Sequence, residues 1–259
     1  MVPGPICVYR CPTCQRMAWK GSLCISHCLG AKFYSDSNYE TPEMPQFPLV
    51  KKCNKCNNYY WLDDRNVYTQ KQFEAEHPWV KATDVKFLTL KETIQAAAEK
   101  PMQDVADTHR FEVDAAELLT IEELQEAIDS KFYKRRKDET AVRVRLWWRL
   151  NAKRRVNGDA GMTPRELDMM EANTTRLAKL LKKGKEHEDR MMAAECYRHL
   201  GEFDKCRKIL HKGLPDGLEW IGKLLLDECD KNNRIVIELT IEKLFAGEYD
   251  HAFGGFETN

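Results

Sequence analysis

An excess of charge of either sign is missing from this chain. Its 41 Lys and Arg residues are matched by 41 Asp and Glu. No global field therefore draws it to nucleic acid or to an anionic membrane surface. Long apolar runs are missing too, and no stretch approaches the roughly 18 residues that a membrane span needs. The N-terminus, Met1-Val-Pro-Gly-Pro5, has neither the basic region nor the apolar core of an export signal, and a cytoplasmic location is the expectation. No phosphate-cradling glycine loop, nucleophile elbow or His-Glu-x-x-His phrase occurs, so no familiar catalytic constellation can be named. The expectation leans away from an enzyme.

Cysteine, by contrast, is plentiful and unevenly spread. Seven of the ten lie before residue 57: Cys7, Cys11, Cys14, Cys24, Cys28, Cys53 and Cys56. Cys196, Cys206 and Cys229 lie far away. Paired spacing without an export signal argues for metal over disulfides. Cys11-x-x-Cys14 and Cys53-x-x-Cys56 have the spacing at which two tight turns each bring two sulfurs to one ion and complete a tetrahedron. These four are the candidate metal ligands, and one structural Zn2+ per chain is the cofactor expected, since zinc is the usual occupant of such sites. Cys7, Cys24, His27 and Cys28 are possible additional ligands of a second site; the plainer reading of the cysteines is as small buried apolar side chains. A metal also explains how a segment rich in Cys, Gly, Pro and Asn folds at all, because it replaces a core too small to hold itself together.

The fold class expected is α+β: a small β-rich module over 1–65, a connector over 66–88, a helical domain over 89–246 and a loose tail over 247–259. Extended pieces are predicted around Ile6–Arg10, Arg16–Lys20, Ala31–Tyr34 and Asn58–Leu62, with a Pro-rich loop over 38–48. Gln70–His77 reads as a short helix. From Lys91 onward the pattern is helical. Thr89-Leu-Lys-Glu92 and Thr120-Ile-Glu-Glu123 match capping boxes, and Thr163-Pro-Arg-Glu166 starts a helix with Pro at its first position. That helix is predicted to run to about Lys182, with further helices at 188–200, 203–212, 217–230 and 234–245.

Lys131 to Val156 carries eleven Lys/Arg and two acids, with Trp147 and Trp148 inside it. Interleaved bases and aromatics can track a phosphate backbone. Leu146, Leu150 and the tryptophans also fall at helical spacing, which predicts a core face with the arginines solvated. The preceding Asp104–Asp129 holds nine acids and one Arg, and pairing of the two segments within the fold is the structural alternative. His109, His199 and His211 read as isolated.

Two resemblances follow from these phrases. The cysteine pairs resemble the zinc-ribbon or rubredoxin-like class, over about a quarter of the chain. In that class Gly usually follows each knuckle's second Cys, where the turn takes positive φ; here Gln15 and Asn57 stand there. Asn tolerates the left-handed region and Gln does so poorly, so the expectation is a first knuckle that is distorted or held by something else. Met191–Leu210 resembles the middle of a tetratricopeptide repeat, with Ala194, Tyr197, Gly201, Phe203, Cys206 and Leu210 at its small, aromatic, turn and hydrophobic positions; Cys206 then reads as a packing residue. The whole arrangement, with Arg145-Leu-Trp147 and Leu200-Gly-Glu-Phe203, is similar to a group of bacterial proteins that join a cysteine-paired ribbon to a helical, repeat-like region. That resemblance implies the architecture and no function.

The reading that results is a non-enzymatic zinc-binding adaptor whose helical domain engages a protein partner. Two alternatives stay open. One is nucleic-acid binding through Lys51, Lys52, Lys55 and the basic helix 131–156. The other is a metal-dependent enzyme or a metal or redox sensor that uses the extra cysteines.

Overall fold

The computed structural model describes residues 2–3, 7–25, 30–41, 46–69, 72, 75–76, 113–184, 186–213 and 219–239. The chain divides into two compact units, Met1–Leu29 with Pro42–Phe132, and Gly30–Thr41 with Tyr133–Asn259. The boundaries predicted at 65 and 89 are not the ones observed. The chain enters the second unit early, returns to the first, and leaves it again after Phe132.

The first unit is built from short strands. β2 (Cys7–Arg10) and β3 (Met17–Lys20) form an antiparallel hairpin. β9 (Val67–Tyr68) adds to β2, and β10 (Val113–Ala115) adds in parallel to β3, giving the order β10-β3-β2-β9. β7 (Val50–Lys52) and β8 (Tyr59–Trp61) make a separate two-stranded sheet, and β1 (Val2–Pro3) pairs with β4 (Leu23–Ile25). Adjacent residues of each strand are buried together, Val8 with Tyr9, Met17 with Ala18, Val50 with Lys51 and Tyr60 with Trp61, so both faces of these short strands are covered and no period-two alternation is seen. The extended pieces predicted at 6–10, 16–20, 31–34 and 58–62 all correspond to observed strands, each a residue or two shorter.

β10 corrects the expectation of unbroken helix after Lys91. Val113–Ala115 is extended because its acid is used across the sheet: Asp114 holds the Arg16 guanidinium at 3.0 Å, and the Ala116 N–H donates to Trp19 O. Helix α1 (Ile121–Asp129) then starts at the predicted capping box, with Thr120 and Glu123 bonding reciprocally. Its Glu126 accepts from Lys52 Nζ and Tyr59 Oη, and Phe132 beyond it packs on Trp61 at 5.2 Å. The paired acids of the 104–129 segment are therefore used within the first unit.

The second unit holds helices α2 (Arg136–Asn157), α3 (Pro164–Leu181), α4 (His187–His199), α5 (Phe203–Leu210) and α6 (Glu219–Asp230). Each packs on the next, and α4 also packs on α6. α3 opens at the predicted Thr163–Glu166 capping box with Pro at its first turn. Two clusters meet on α4. Ala193 and Cys196 join Val144, Trp147, Leu177, Ala178 and Leu181. Met191 and Ala194 join Cys206, Leu210, Ile221, Leu225 and Cys229. Gly201, at φ +75°, makes the turn between α4 and α5. The helix predicted over 234–245 is not found in its described part: Glu238–Leu239 is β11, paired antiparallel with β5 (Lys32–Tyr34), which pairs in turn with β6 (Tyr39–Glu40). The capping box at Thr89, most of the connector and the tail lie outside the described residues.

α2 carries the basic stretch. Leu146, Trp147 and Leu150 are fully buried, as their spacing predicts. The arginines are less solvated than expected. Arg143 and Arg176 share Glu139, Lys153 meets Glu166, Arg154 meets Asp159 and Arg155 meets Glu40. Every one of these acids belongs to the second unit, so the basic helix pairs with its own surroundings rather than with the acids that Arg16 and Lys52 hold.

Truncating Leu177, fully buried between α2 and α4, to Ala is expected to cost about 2–5 kcal/mol, measured by chemical denaturation. The paired carboxylates set the acid limit. Burial disfavours the Glu195 carboxylate, but Arg198 and His199 outweigh it and hold the group below the ordinary range. Arg176 and Arg143 lower Glu139 against its burial, and Lys231 and Asn233 outweigh the burial of Glu228. A lowered folded value gives stability that is complete above the ordinary carboxylate value near about 4.3 and is lost as pH falls. Burial moves Asp36 and Asp189 the other way, so they offset part of the loss. The melting temperature is expected to hold from neutral pH to about 5 and to drop below about 4.3; a rise on acidification would contradict this assignment.

Candidate metal centre

Two turns of the same construction carry the four cysteines. In the first, between β2 and β3, the Gln15 N–H donates to Cys11 O and the Cys11 N–H to Arg16 O, at 3.0 and 2.8 Å. In the second, between β7 and β8, the Asn57 N–H donates to Cys53 O and the Cys53 N–H to Asn58 O, both at 2.9 Å. Gln15 and Asn57 take φ of 64° and 58°, the left-handed conformation that glycine usually supplies. The first knuckle is therefore undistorted in its hydrogen bonding, with a glutamine held where glycine would cost least. Each turn aims amides at sulfur: the N–H groups of Cys14 and Thr13 at Cys11, and those of Cys56 and Lys55 at Cys53.

The four ligand atoms all lie within 4.8 Å of one another. Cys11 Sγ is 3.6 Å from Cys56 Sγ, and Cys14 Sγ is 3.4 Å from Cys53 Sγ. A tetrahedron with metal–sulfur bonds of about 2.3 Å has sulfurs about 3.8 Å apart, so the donor set is close enough to hold one ion. Cys11 and Cys53 are buried, and Cys14 and Cys56 are half-buried. Tyr9, Tyr60 and Leu62 pack around them.

The electrostatics of the thiols point the same way. Burial pushes Cys11 up to about 12 against the amides that favour its thiolate, and burial raises Cys14 as well. Burial also disfavours the Cys53 thiolate, but the amides of Cys56 and Lys55 and the Cys14 thiol outweigh it and bring the group down to about 7. The Cys53 thiolate forms readily while Cys11 and Cys14 resist, because burial and like charges this close disfavour further ionisation. A divalent cation at the centre reverses that relation and stabilises all four thiolates together. Burial raises the Tyr60 phenol, and charge on Cys11 and Cys53 adds to the effect; its ring is an apolar wall.

Cys7, considered as an additional ligand, is not part of the four-sulfur group; it packs against its edge. His27 and Cys28 and the side chain of Cys24 lie outside the described residues. Cys196, Cys206 and Cys229 are buried packing residues in the helical unit. Lys51 donates to Ala115 O and Lys52 to Glu126, so two of the three lysines considered for nucleic acid are engaged within the unit.

A second polar centre went unread in the sequence. His199, which reads as isolated in the sequence, is buried beside Glu195 and Arg198. Arg198 grips Glu195 with Nε at 2.7 Å and Nη2 at 2.6 Å. His199 Nε2 lies 3.1 Å from Glu195 Oε1, and Trp147 Nε1 lies 3.2 Å from His199 Nδ1. An indole N–H only donates, so Nδ1 accepts and the proton sits on Nε2, directed at Glu195. Ser35 Oγ also donates to Glu195. The readable signal was the i, i+3, i+4 spacing of Glu195, Arg198 and His199 on one helix. Ser35 could not have been added from sequence, because it lies 160 residues away.

Among the described residues no helix is long and apolar enough to cross a membrane. The chain matches no protein-family model, no curated protein and no solved structure.

The left-handed positions yield a graded test. Gln15→Gly is expected to stabilise the first unit by about 0.5–1 kcal/mol, since a side chain in this conformation costs about 1–2 kcal/mol against glycine's smaller entropic cost. Asn57→Gly is expected to change less, because Asn tolerates the conformation. Thermal denaturation of the two variants gives the comparison, and equal shifts would count against the assigned strain.

Proposed function

We propose that this chain is a non-enzymatic adaptor: a structural zinc ion holds a ribbon-like N-terminal module, and the helical unit binds a protein partner through tetratricopeptide-like packing. The observation that carries the reading is the completeness of the ligand set. Four thiols from two matched turns converge within 4.8 Å, and four protein ligands leave no open position for water or substrate, as structural zinc sites do. Zinc is preferred over iron because it is the usual occupant of such tetrahedral thiolate sites.

Support for a binding role in the helical unit comes from its surface. The outer side of α3 presents a shallow, open surface formed by Asp168, Glu171, Ala172, Thr175, Arg176 and Lys179. Acids and bases side by side over small residues suit a complementary protein surface better than a phosphate backbone. Gly201 and Phe203, at the turn and packing positions of the tetratricopeptide phrase, form a second shallow surface with Arg207 and Asn232. Nucleic-acid binding is less favoured because Arg143, Lys153, Arg154 and Arg155 already face carboxylates; neutralised cations release few counterions.

Elemental analysis of untagged protein, beside the variant with Cys53 and Cys56 both changed to Ser, tests the centre. One zinc per chain is expected, lost in the variant together with the fold of the first unit. Iron, or two metals per chain, would overturn the structural reading and favour catalysis or sensing. For the helical unit, the double variant Glu171→Lys and Lys179→Glu is expected to leave the fold and zinc content intact and to abolish the crosslinked complex formed by the unaltered protein. Complexes that survive this charge reversal would count against α3 as the docking face.

A further inference from the structure

The 38 residues between Cys14 and Cys53 contain the part of the chain that belongs to the helical unit. Gly30–Thr41 is counted with Tyr133–Asn259, while the segments on either side, ending in the two cysteine pairs, belong to the first unit. The β5–β6 hairpin is thus the middle of a loop whose two ends the metal centre would join.

What holds each end of that loop is visible. The first cysteine pair sits on the four-stranded sheet and the second on the two-stranded sheet β7–β8. Among the described residues no strand pairing joins these sheets. A two-stranded hairpin is marginal by itself, so the position of β7–β8 rests on the sulfur cluster and the packing around it, on the bonds from Lys20 to Leu62 O, Lys51 to Ala115 O and Asn58 to Thr13, and on the contacts of Lys52, Tyr59 and Trp61 with Glu126 and Phe132. Metal–thiolate bonds are the strongest link of this set.

What the hairpin does in the helical unit is equally visible. Ser35 donates to the buried Glu195 and accepts from the Ile237 N–H. Asp36 accepts from Asn151 Nδ2 at 2.8 Å, and its carbonyl accepts from Trp148 Nε1 at 2.9 Å. Arg155 lies over the Tyr34 ring at 3.6 Å and pairs with Glu40. Glu195 and Arg198 have no exposure, so the hairpin supplies part of the hydrogen bonding that a buried ion pair requires.

From this topology we infer that metal occupancy of the cysteine centre and docking of the β5–β6 hairpin on the helical unit are energetically coupled, so that the hairpin is a metal-dependent clasp. Joining the loop ends lowers the entropy that the hairpin loses on docking. Linkage makes the effect mutual: a docked hairpin slows metal loss as much as bound metal favours the clasp. The inference rests on the metal reading above and adds a regulatory consequence to it.

Hydrogen exchange on the full chain, zinc-loaded and after chelation, tests the clasp. Protection at residues 32–40 is expected to fall on the order of tenfold in the metal-free protein, within the usual range of such couplings. Loss of protection at 7–20 and 50–61 with 32–40 unchanged would overturn the coupling while leaving the metal centre in place. Protein that takes up no zinc overturns both.

The reciprocal arm measures zinc transfer to a chromogenic chelator. Ser35→Ala and Trp148→Phe, each of which removes a hairpin bond far from the cysteines in sequence, are expected to speed transfer about five- to tenfold. Lys231→Ala, which removes an ion pair with Glu228, is expected to leave it unchanged and controls for general loosening. Equal rates in all three variants would overturn the inference.

Discussion

Four thiols within 4.8 Å of one another, two buried and two half-buried, cannot all ionise unless a cation lies among them. That constraint organises the first unit. Among the described residues its sheets are short, the largest having four strands, and its inner residues cluster around Cys11 and Cys53. Amides from two matched turns prepare the sulfurs for negative charge. At Cys11 they do not offset the cost of burial, and the thiol resists ionisation; at Cys53, with help from the Cys14 and Cys56 thiols, they outweigh it and bring the group down to about 7. A thiolate set of this kind is poised for metal, and its folding and its metal affinity are two aspects of one free energy.

The helical unit solves a different problem. α4 packs between two apolar clusters, so few of its positions are free to face water. Three of its polar residues, Glu195, Arg198 and His199, are inside. They are tolerated because every partner is in place: guanidinium to carboxylate, imidazole to carboxylate, indole to imidazole, and serine from the hairpin. A buried ion pair of this kind gives little net stability against an apolar replacement, while loss of one member is expensive. Its effect is to specify which segment completes the unit, and that segment comes from the middle of the cysteine-rich region.

Much of the local structure was legible in the sequence because it depends on residues close together in the chain. The cysteine spacing located both knuckles. The capping boxes at Thr120 and Thr163 started helices where expected, since a cap is a bond between a residue and its third neighbour. Leu146, Trp147 and Leu150 were readable as a core face. The failures have a common cause. The strand at 113–115, the strand at 238–239 and the assignment of 30–41 to the helical unit each depend on a partner far along the chain. A two- or three-residue strand has almost no pattern of its own, and its pairing partner decides whether it forms.

The sequence by itself determined the four cysteines that could hold a metal ion, the left-handed demand on Gln15 and Asn57, and the helical register of the second half. These follow from spacing and backbone sterics, which act over a few residues. Only the tertiary structure decided which acids neutralise the basic helix, how Glu195 and Arg198 come to be buried, and that the hairpin between the cysteine pairs completes the other unit. Charge pairing and burial are long-range choices among many candidate partners, and the chain settles them only when its elements pack.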